Sequence, residues 1–253
     1  MKTMALNSIF LSRPFAHRGL HGKEITENSR AAFQEAICKG FGIELDVQGL
    51  ADSSPVVFHD DFLERLTNAQ GQVSHLKVKN LEKIHLSNGE SIPTLEEILN
   101  LVSGKVPILL EIKDQDGMLG KNIGQLVQKT ANLINAYRGP LAVMSFNPFV
   151  VKALQNLSPK IPRGLVTDDF FSKEWGFLGL EQKESLNKML FSKTSQLDFI
   201  SHNVTKIRSP QINLARKEHL PILCWTVRSS IQEREARKIF DNITFENYFP
   251  NLV

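Results

Sequence analysis

Eight short apolar runs recur along this chain, each followed by a longer segment of helical period or of turn residues. They read as strands at Pro14–His17, Gly42–Val47, Val106–Ile112, Leu141–Ser145, Arg163–Val166, Asp198–Ile200, Pro221–Trp225 and Asn242–Phe245. Strands alternating with helices predict an α/β fold with a parallel sheet, and eight such units predict a (β/α)8 TIM barrel. Between the strands, Ser29–Lys39 places Ala32, Phe33, Ala36 and Ile37 on one helical face. Leu119–Ala136 does the same with Ile123, Leu126, Val127, Leu133 and Ile134. Helix starts are marked by Thr94 with Glu97 and Ser230 with Glu233, both capping-box spacings. Asn147–Pro148 and Ser209–Pro210 place a capping side chain before a first-turn proline. Asp168–Met189 shows no clear period and is expected to be a loop with short helices.

A length of 253 residues suits one large domain, and no linker divides it, so residues 1–253 are read as a single barrel. Lys and Arg number 30 against 27 Asp and Glu, a formal charge of +3. That excess mildly favours anionic substrates but is no nucleic-acid footprint, so no nucleic-acid partner is expected. No apolar stretch reaches the roughly 18 residues of a membrane span, so no transmembrane segment is expected. Met4–Leu11 is apolar but broken by Asn7 and Ser8, and reads as a short arm leading into the first strand. Cys38 and Cys224 read as buried free thiols, consistent with a reducing, cytoplasmic setting.

Within Gly42–Val47, Ile43, Leu45 and Val47 share one strand face and Glu44 and Asp46 the other. In a barrel the acids would point inward, near the end of the strand where barrel enzymes keep their sites. Two carboxylates roughly 7 Å apart along a strand need compensation if they are dry, and a divalent cation is the simplest. An exposed acidic edge strand satisfies the same pattern. Glu111 likewise interrupts the apolar run Ile108–Ile112, with Lys113 on the same face. This pair reads either as a third ligand beside a phosphate-binding ammonium or as a buried ion pair. His17 and His59 each follow an apolar run where a strand should end, and Arg18 adjoins the first. Histidine suits proton transfer near neutrality, though a lone histidine there is more often structural.

These segments resemble a known family. His17-Arg18-Gly19, Thr26-Glu27-Asn28-Ser29, Glu44-Leu45-Asp46-Val47, Val56-Val57-Phe58-His59-Asp60 and Leu63-x-Arg65 look like the opening of the glycerophosphodiester phosphodiesterases. The likeness continues through Ile92-Pro93-Thr94-Leu95-Glu96-Glu97, Glu111-Ile112-Lys113, Ser145-Phe146-Asn147-Pro148 and Trp225-Thr226-Val227 to Asn247–Leu252. The resemblance implies a barrel with a small insertion at residues 61–92. It also implies hydrolysis of glycerophosphodiesters to glycerol 3-phosphate and an alcohol. Glu44, Asp46 and Glu111 would be metal ligands, His17 and His59 the acid–base pair, Arg18 and Lys113 phosphate contacts, and Trp225 the wall beside the glycerol. Three carboxylates are hard donors and point to one divalent cation, Mg²⁺ or Ca²⁺. Departures include Asp52-Ser53-Ser54-Pro55 at a hairpin tip and Arg228 where the family commonly has Asn, a change that bears on the leaving alcohol.

Lysophospholipids carry the same phosphodiester, so lysophospholipase D-type cleavage is the nearest alternative. A silent binding protein on this scaffold is a further one, disfavoured by the retained histidines and carboxylates. Asn28 is expected to cap the first helix or to donate its amide oxygen to the metal. His21 and His202 fall in predicted loops on the active-site side; His75, His85 and His219 are read as surface. Phe62, Phe170, Phe171, Trp175 and Phe177 form either an apolar rim or core closed under a loop.

Overall fold

The computed structural model describes residues 6–191 and 195–251. Strand β1 (Phe15–Ala16) pairs in parallel with both β2 (Gly42–Gly49) and β9 (Asn242–Phe245), which closes the sheet on itself. β3 (Pro55–Val57) lies outside the ring as an antiparallel hairpin partner of β2. Parallel pairing runs on from β2 through β4 (Ile108–Ile112), β5 (Leu141–Ser145), β6 (Arg163–Thr167), β7 (Phe199–Asn203) and β8 (Ile222–Val227) to β9. The expected eight-stranded parallel barrel is therefore the fold. β7 continues through Asn203 and draws His202 out of its predicted loop into a strand.

The period-2 pattern sets the layers. Ile43, Leu45, Val47, Ile108, Leu110 and Ile112 pack outward against the helices. Leu109, Ala142, Met144, Val166, Phe199 and Leu223 fill the inside together with Leu6, Phe10 and Phe15. Met4 and Ala5 of the predicted N-terminal arm lie outside the described residues; further on, Ile9–Ser12 form a short helix, α1, whose Phe10 joins the barrel interior. Asn242 ties it down, donating to the carbonyls of Phe10 at 2.8 Å and Arg13 at 2.6 Å.

Helix α2 (Arg30–Lys39) is capped by Ser29, not Asn28: the Ser29 hydroxyl accepts from the Ala32 amide. Helix α3 (Leu95–Val102) carries the expected Thr94–Glu97 capping box. Helix α4 starts at Leu126 and ends at Ala136, a shorter span than the apolar period suggests. Upstream, Asp114 and Asp116 accept from the amides of Leu119, Met118 and Gly120, so side chains hold the backbone that helix bonds would need. Asn147 caps α5 (Pro148–Leu157) as predicted. The unperiodic stretch holds a 3₁₀ turn at Lys173–Trp175 and helix α6 (Leu180–Asn187). Ser209 precedes α7 (Pro210–Lys217) without capping it, because its hydroxyl meets His202 Nε2 at 2.8 Å. The cap of α8 (Ser230–Ala236) is Ser229, one residue before the predicted one.

Residues 61–92 surround a small apolar cluster of their own, with Leu63, Leu66, Val73, Leu81, Ile84, Leu86 and Ile92 packed on Leu50, Val56 and Phe58. At the hairpin tip Asp52 accepts from both the amide and the hydroxyl of Ser54, so this turn is built without the usual glycine. Cys224 is buried as expected, but Cys38 is exposed on α2.

Candidate active site

Parallel register places Asp46 on β2 directly opposite Glu111 on β4. With Glu44 one pleat back, the three carboxylates point inward, and each offers an oxygen within 4.8 Å of the others. All three are buried. The exposed-edge reading is thus excluded, and the Glu111–Lys113 ion pair exists within the acidic site itself. Lys113 Nζ lies 2.8 Å from Glu111 Oε1 and 3.0 Å from Asp46 Oδ1.

Arg18 approaches from the turn after β1. Its amide donates to Glu44 Oε2 at 3.0 Å and its guanidinium lies 3.4 Å from Asp46. Arg18 sits at φ +56° and Gly19 at φ +80°. A Cβ on Gly19 would stand 2.8 Å from that of Ala32, so the turn that aims Arg18 requires glycine. Asn28, also at positive φ, donates from Nδ2 to Asp46 Oδ2 at 2.9 Å. It orients a carboxylate of the trio rather than capping a helix.

Burial, reinforced by the charges of Asp46 and Glu111, pushes the Glu44 carboxyl well above the usual range. Burial acts the same way on Asp46, but the charges of Lys113, His59 and Arg18 outweigh it and hold Asp46 low. Burial would depress Lys113, yet Asp46 and Glu111 raise it. Three buried acids facing two cations leave an excess of negative charge, which is why the Glu44 carboxyl is pushed up. Such an oxygen-rich, over-charged cluster fits a hard divalent cation.

Both histidines are held by carboxylates. His17 Nδ1 meets Glu246 Oε2 at 2.6 Å, and His59 Nδ1 meets Asp60 Oδ1 at 2.7 Å. Nδ1 is thereby occupied, which leaves Nε2 of each ring clear of that carboxylate. Asp60 accepts from Arg65, Arg65 also donates to Glu27, and Glu27 accepts from Arg18 NH1 at 2.6 Å. Against its own burial, the hydrogen bond from Arg65 and the charge of Arg18 hold Glu27 at about 2. Glu246, first through its bond to His17, is likewise held at about 2. Burial lowers His17, a shift that the Glu246 bond only partly offsets.

All eight predicted site residues, His17, Arg18, Glu44, Asp46, His59, Glu111, Lys113 and Trp225, line one cavity of about 140 Å³ with Met144, Phe146, Thr226, Arg228 and Thr244. His21 lies outside it. His202 is wholly buried in β7, bonded to Thr167 at 2.7 Å and to Ser209, and is structural. His75, His85 and His219 are exposed. The aromatic residues divide: Phe170 is core, whereas Phe62, Phe171 and Phe177 are about half exposed (53%, 54% and 48%). Glu246 and Asp60 were missed as ring-positioning residues. Asp60 stands next to His59 in sequence and was findable; Glu246 has no local signal tying it to His17.

One cavity in a parallel barrel thus gathers carboxylates that could hold a cation, two basic side chains that could meet an anion, and two histidines held by carboxylates. The glycerophosphoryl diester phosphodiesterase family model matches residues 17–242. The Bacillus subtilis protein YhdW is 31% identical over 224 residues, covering 85% of each chain. A glycerophosphodiester phosphodiesterase of Caldanaerobacter subterraneus is 28% identical over 238 residues, covering 90% of this chain and 91% of that one. In fold, the chain is similar to an Oleispira antarctica phosphodiesterase solved with its product sn-glycerol-3-phosphate, at TM-score 0.75, 22% identity and 93% coverage of both chains. The chain belongs to the glycerophosphoryl diester phosphodiesterase family and is an enzyme.

Proposed function

We propose that this enzyme hydrolyses small glycerophosphodiesters to glycerol 3-phosphate and an alcohol, with His17 and His59 as its acid–base pair. The observation that carries the reading is that two rings, each fixed through Nδ1 by a carboxylate, share one cavity with the acidic trio and two cations. Glu44, Asp46 and Glu111 would hold one Mg²⁺ or Ca²⁺, which when bound supplies charge neutralisation for the phosphate and acidifies a neighbouring hydroxyl. Arg18 and Lys113, which line the same cavity, would balance the non-bridging phosphate oxygens, and Trp225 would offer an apolar face to the glycerol carbons.

A glycerol 3-phosphodiester carries its own nucleophile, the 2-hydroxyl. Held beside the phosphorus, such a group reaches effective molarities of about 10⁵ M or more. One histidine takes the hydroxyl proton as the new O–P bond forms, and the other gives a proton to the departing alcohol. Water then opens the 1,2-cyclic phosphate while the two rings exchange roles. The free cysteines accord with action in a reducing, cytoplasmic setting. Among the described residues no helix is long and apolar enough to cross a membrane.

A second reading, lysophospholipase D-type cleavage, rests on one feature. From Trp225 in the cavity, rings follow in contact through Phe146 (5.6 Å) and Trp175 (5.1 Å) to half-exposed Phe177 (5.8 Å). That apolar path would suit an acyl chain. The deciding experiment follows product formation by phosphorus NMR from glycerophosphocholine, -ethanolamine, -glycerol, -inositol and a lysophospholipid, with and without chelator. Preferred turnover of the small diesters supports the first reading, exclusive turnover of the lysolipid supports the second, and no turnover of any defeats both.

A further inference from the structure

Glu246 faces a second imidazole besides that of His17. His21 Nε2 lies 3.9 Å from Glu246 Oε2, buried and without a hydrogen-bond partner. A buried ring nitrogen left unpaired is unusual enough to require a reason. His17, His21 and Glu246 each offer one donor atom within 4.8 Å of the others. We propose that His17 Nδ1, His21 Nε2 and Glu246 Oε2 form a second metal site, for a borderline ion such as Zn²⁺, whose filling silences His17.

Two imidazoles and one carboxylate are a zinc-type donor set, unlike the all-oxygen trio deeper in the barrel. Bonds of about 2.0–2.2 Å require donor separations of roughly 3.3 Å in a tetrahedron. The His17–Glu246 contact, 2.6 Å in the metal-free protein, must open slightly. The His21–Glu246 separation of 3.9 Å must close by about 0.6 Å, within reach of side-chain rotation. Arg228 Nε engages Glu246 through Oε1 at 2.6 Å, which leaves Oε2 available to the metal. Its positive charge opposes a dication, but the side chain is 58% exposed and screened by solvent. His21 also lines an open hollow of about 490 Å³ with Gly22, Lys23 and Tyr248, outside the catalytic cavity.

Filling the site displaces the proton that His17 Nδ1 shares with Glu246; in the neutral ring that proton moves to Nε2 as the metal takes Nδ1. A ring in that state has no free lone pair and cannot accept a proton from substrate. The inhibitory consequence rests on the proposed acid–base role of His17; the site itself does not.

The test titrates the whole protein, held in excess Ca²⁺, with Co²⁺ as a spectroscopic probe and then with Zn²⁺ while turnover is followed. One further equivalent of Co²⁺ with the visible absorption of a four-coordinate, nitrogen-ligated ion is expected, and Zn²⁺ should inhibit without displacing Ca²⁺. His21→Leu should keep basal turnover and circular dichroism. It should lose affinity for Co²⁺ by more than the roughly 10–100-fold that an outer-shell partner is worth. His21→Cys, which keeps a donor, should retain binding. Absence of the extra equivalent in wild type, or equal affinity in His21→Leu, overturns the site. Tight binding at full activity would uphold the site and overturn the role of His17 instead.

Discussion

Glu246 Oε2 holds His17 Nδ1 at 2.6 Å across 229 residues of chain, joining the end of the first barrel strand to the end of the last. Closure of the barrel makes those strand ends neighbours. Replacement by Gln removes the charge that raises His17. The sign is fixed: burial already places this histidine below 6.5, and losing the carboxylate lowers it further. The acid limb of kcat/KM should therefore lie below pH 6.5 in wild type and move lower still in Glu246→Gln. The rate at neutral pH should fall by a part of the roughly 10²–10⁴-fold that acid–base catalysis supplies. A pH–rate profile of both proteins checks this; an unmoved limb means that it belongs to another group.

His17→Ala and His59→Ala should each lose about 10²–10⁴-fold in kcat while fold and metal content persist. The double variant should lose less than the product of the two, since the rings serve one proton circuit. Steady-state kinetics with circular dichroism and elemental analysis decide it. Near-normal kcat in either single variant would make that ring structural.

The carboxylate trio links metal binding to pH. Glu44 in the metal-free fold keeps its proton above 4.5, so the folded state binds more protons there than the unfolded chain does. The contribution of Glu44 to metal-free stability should accordingly be lost as pH rises above 4.5, against the opposite contribution of the lowered His17 and His202. Bound metal expels that proton, so the melting-temperature gap between Ca²⁺-loaded and chelated protein should widen with pH. Thermal scans at several pH values measure it; a gap independent of pH would contradict the raised Glu44. Chelator should abolish turnover, Mg²⁺ or Ca²⁺ should restore it, and Glu44→Gln should bind metal at least about 10–100-fold more weakly.

If the 2-hydroxyl is the nucleophile, a substrate with hydrogen in its place should bind with similar affinity and turn over orders of magnitude more slowly. Rapid quench of the normal substrate should release traces of 1,2-cyclic phosphate. Equal turnover of the deoxy substrate would assign the attack to water.

Local order did most of the work that the sequence could do alone. The two-residue period of β2 sends Ile43, Leu45 and Val47 outward and Glu44 and Asp46 inward, because a pleated strand allows nothing else. Eight such runs separated by helices allow few closed architectures. The order of motifs from His17 to Trp225 carried the family. Where local signals competed, tertiary structure decided. Apolar period ran back to Leu119, but Asp114 and Asp116 held that backbone and α4 began at Leu126. Ser209 looked like a cap, yet buried His202 had the greater need of its hydroxyl. Ile9–Ser12, read as arm, form a helix because Phe10 can pack among the apolar side chains inside the barrel. Glu246 was illegible for a deeper reason. Its meaning lies in a partner 229 residues away, and a contact of that separation leaves no period or spacing in the chain. Only the closing of β9 against β1 brings the carboxylate to the ring, and with it the tautomer that His17 presents to substrate.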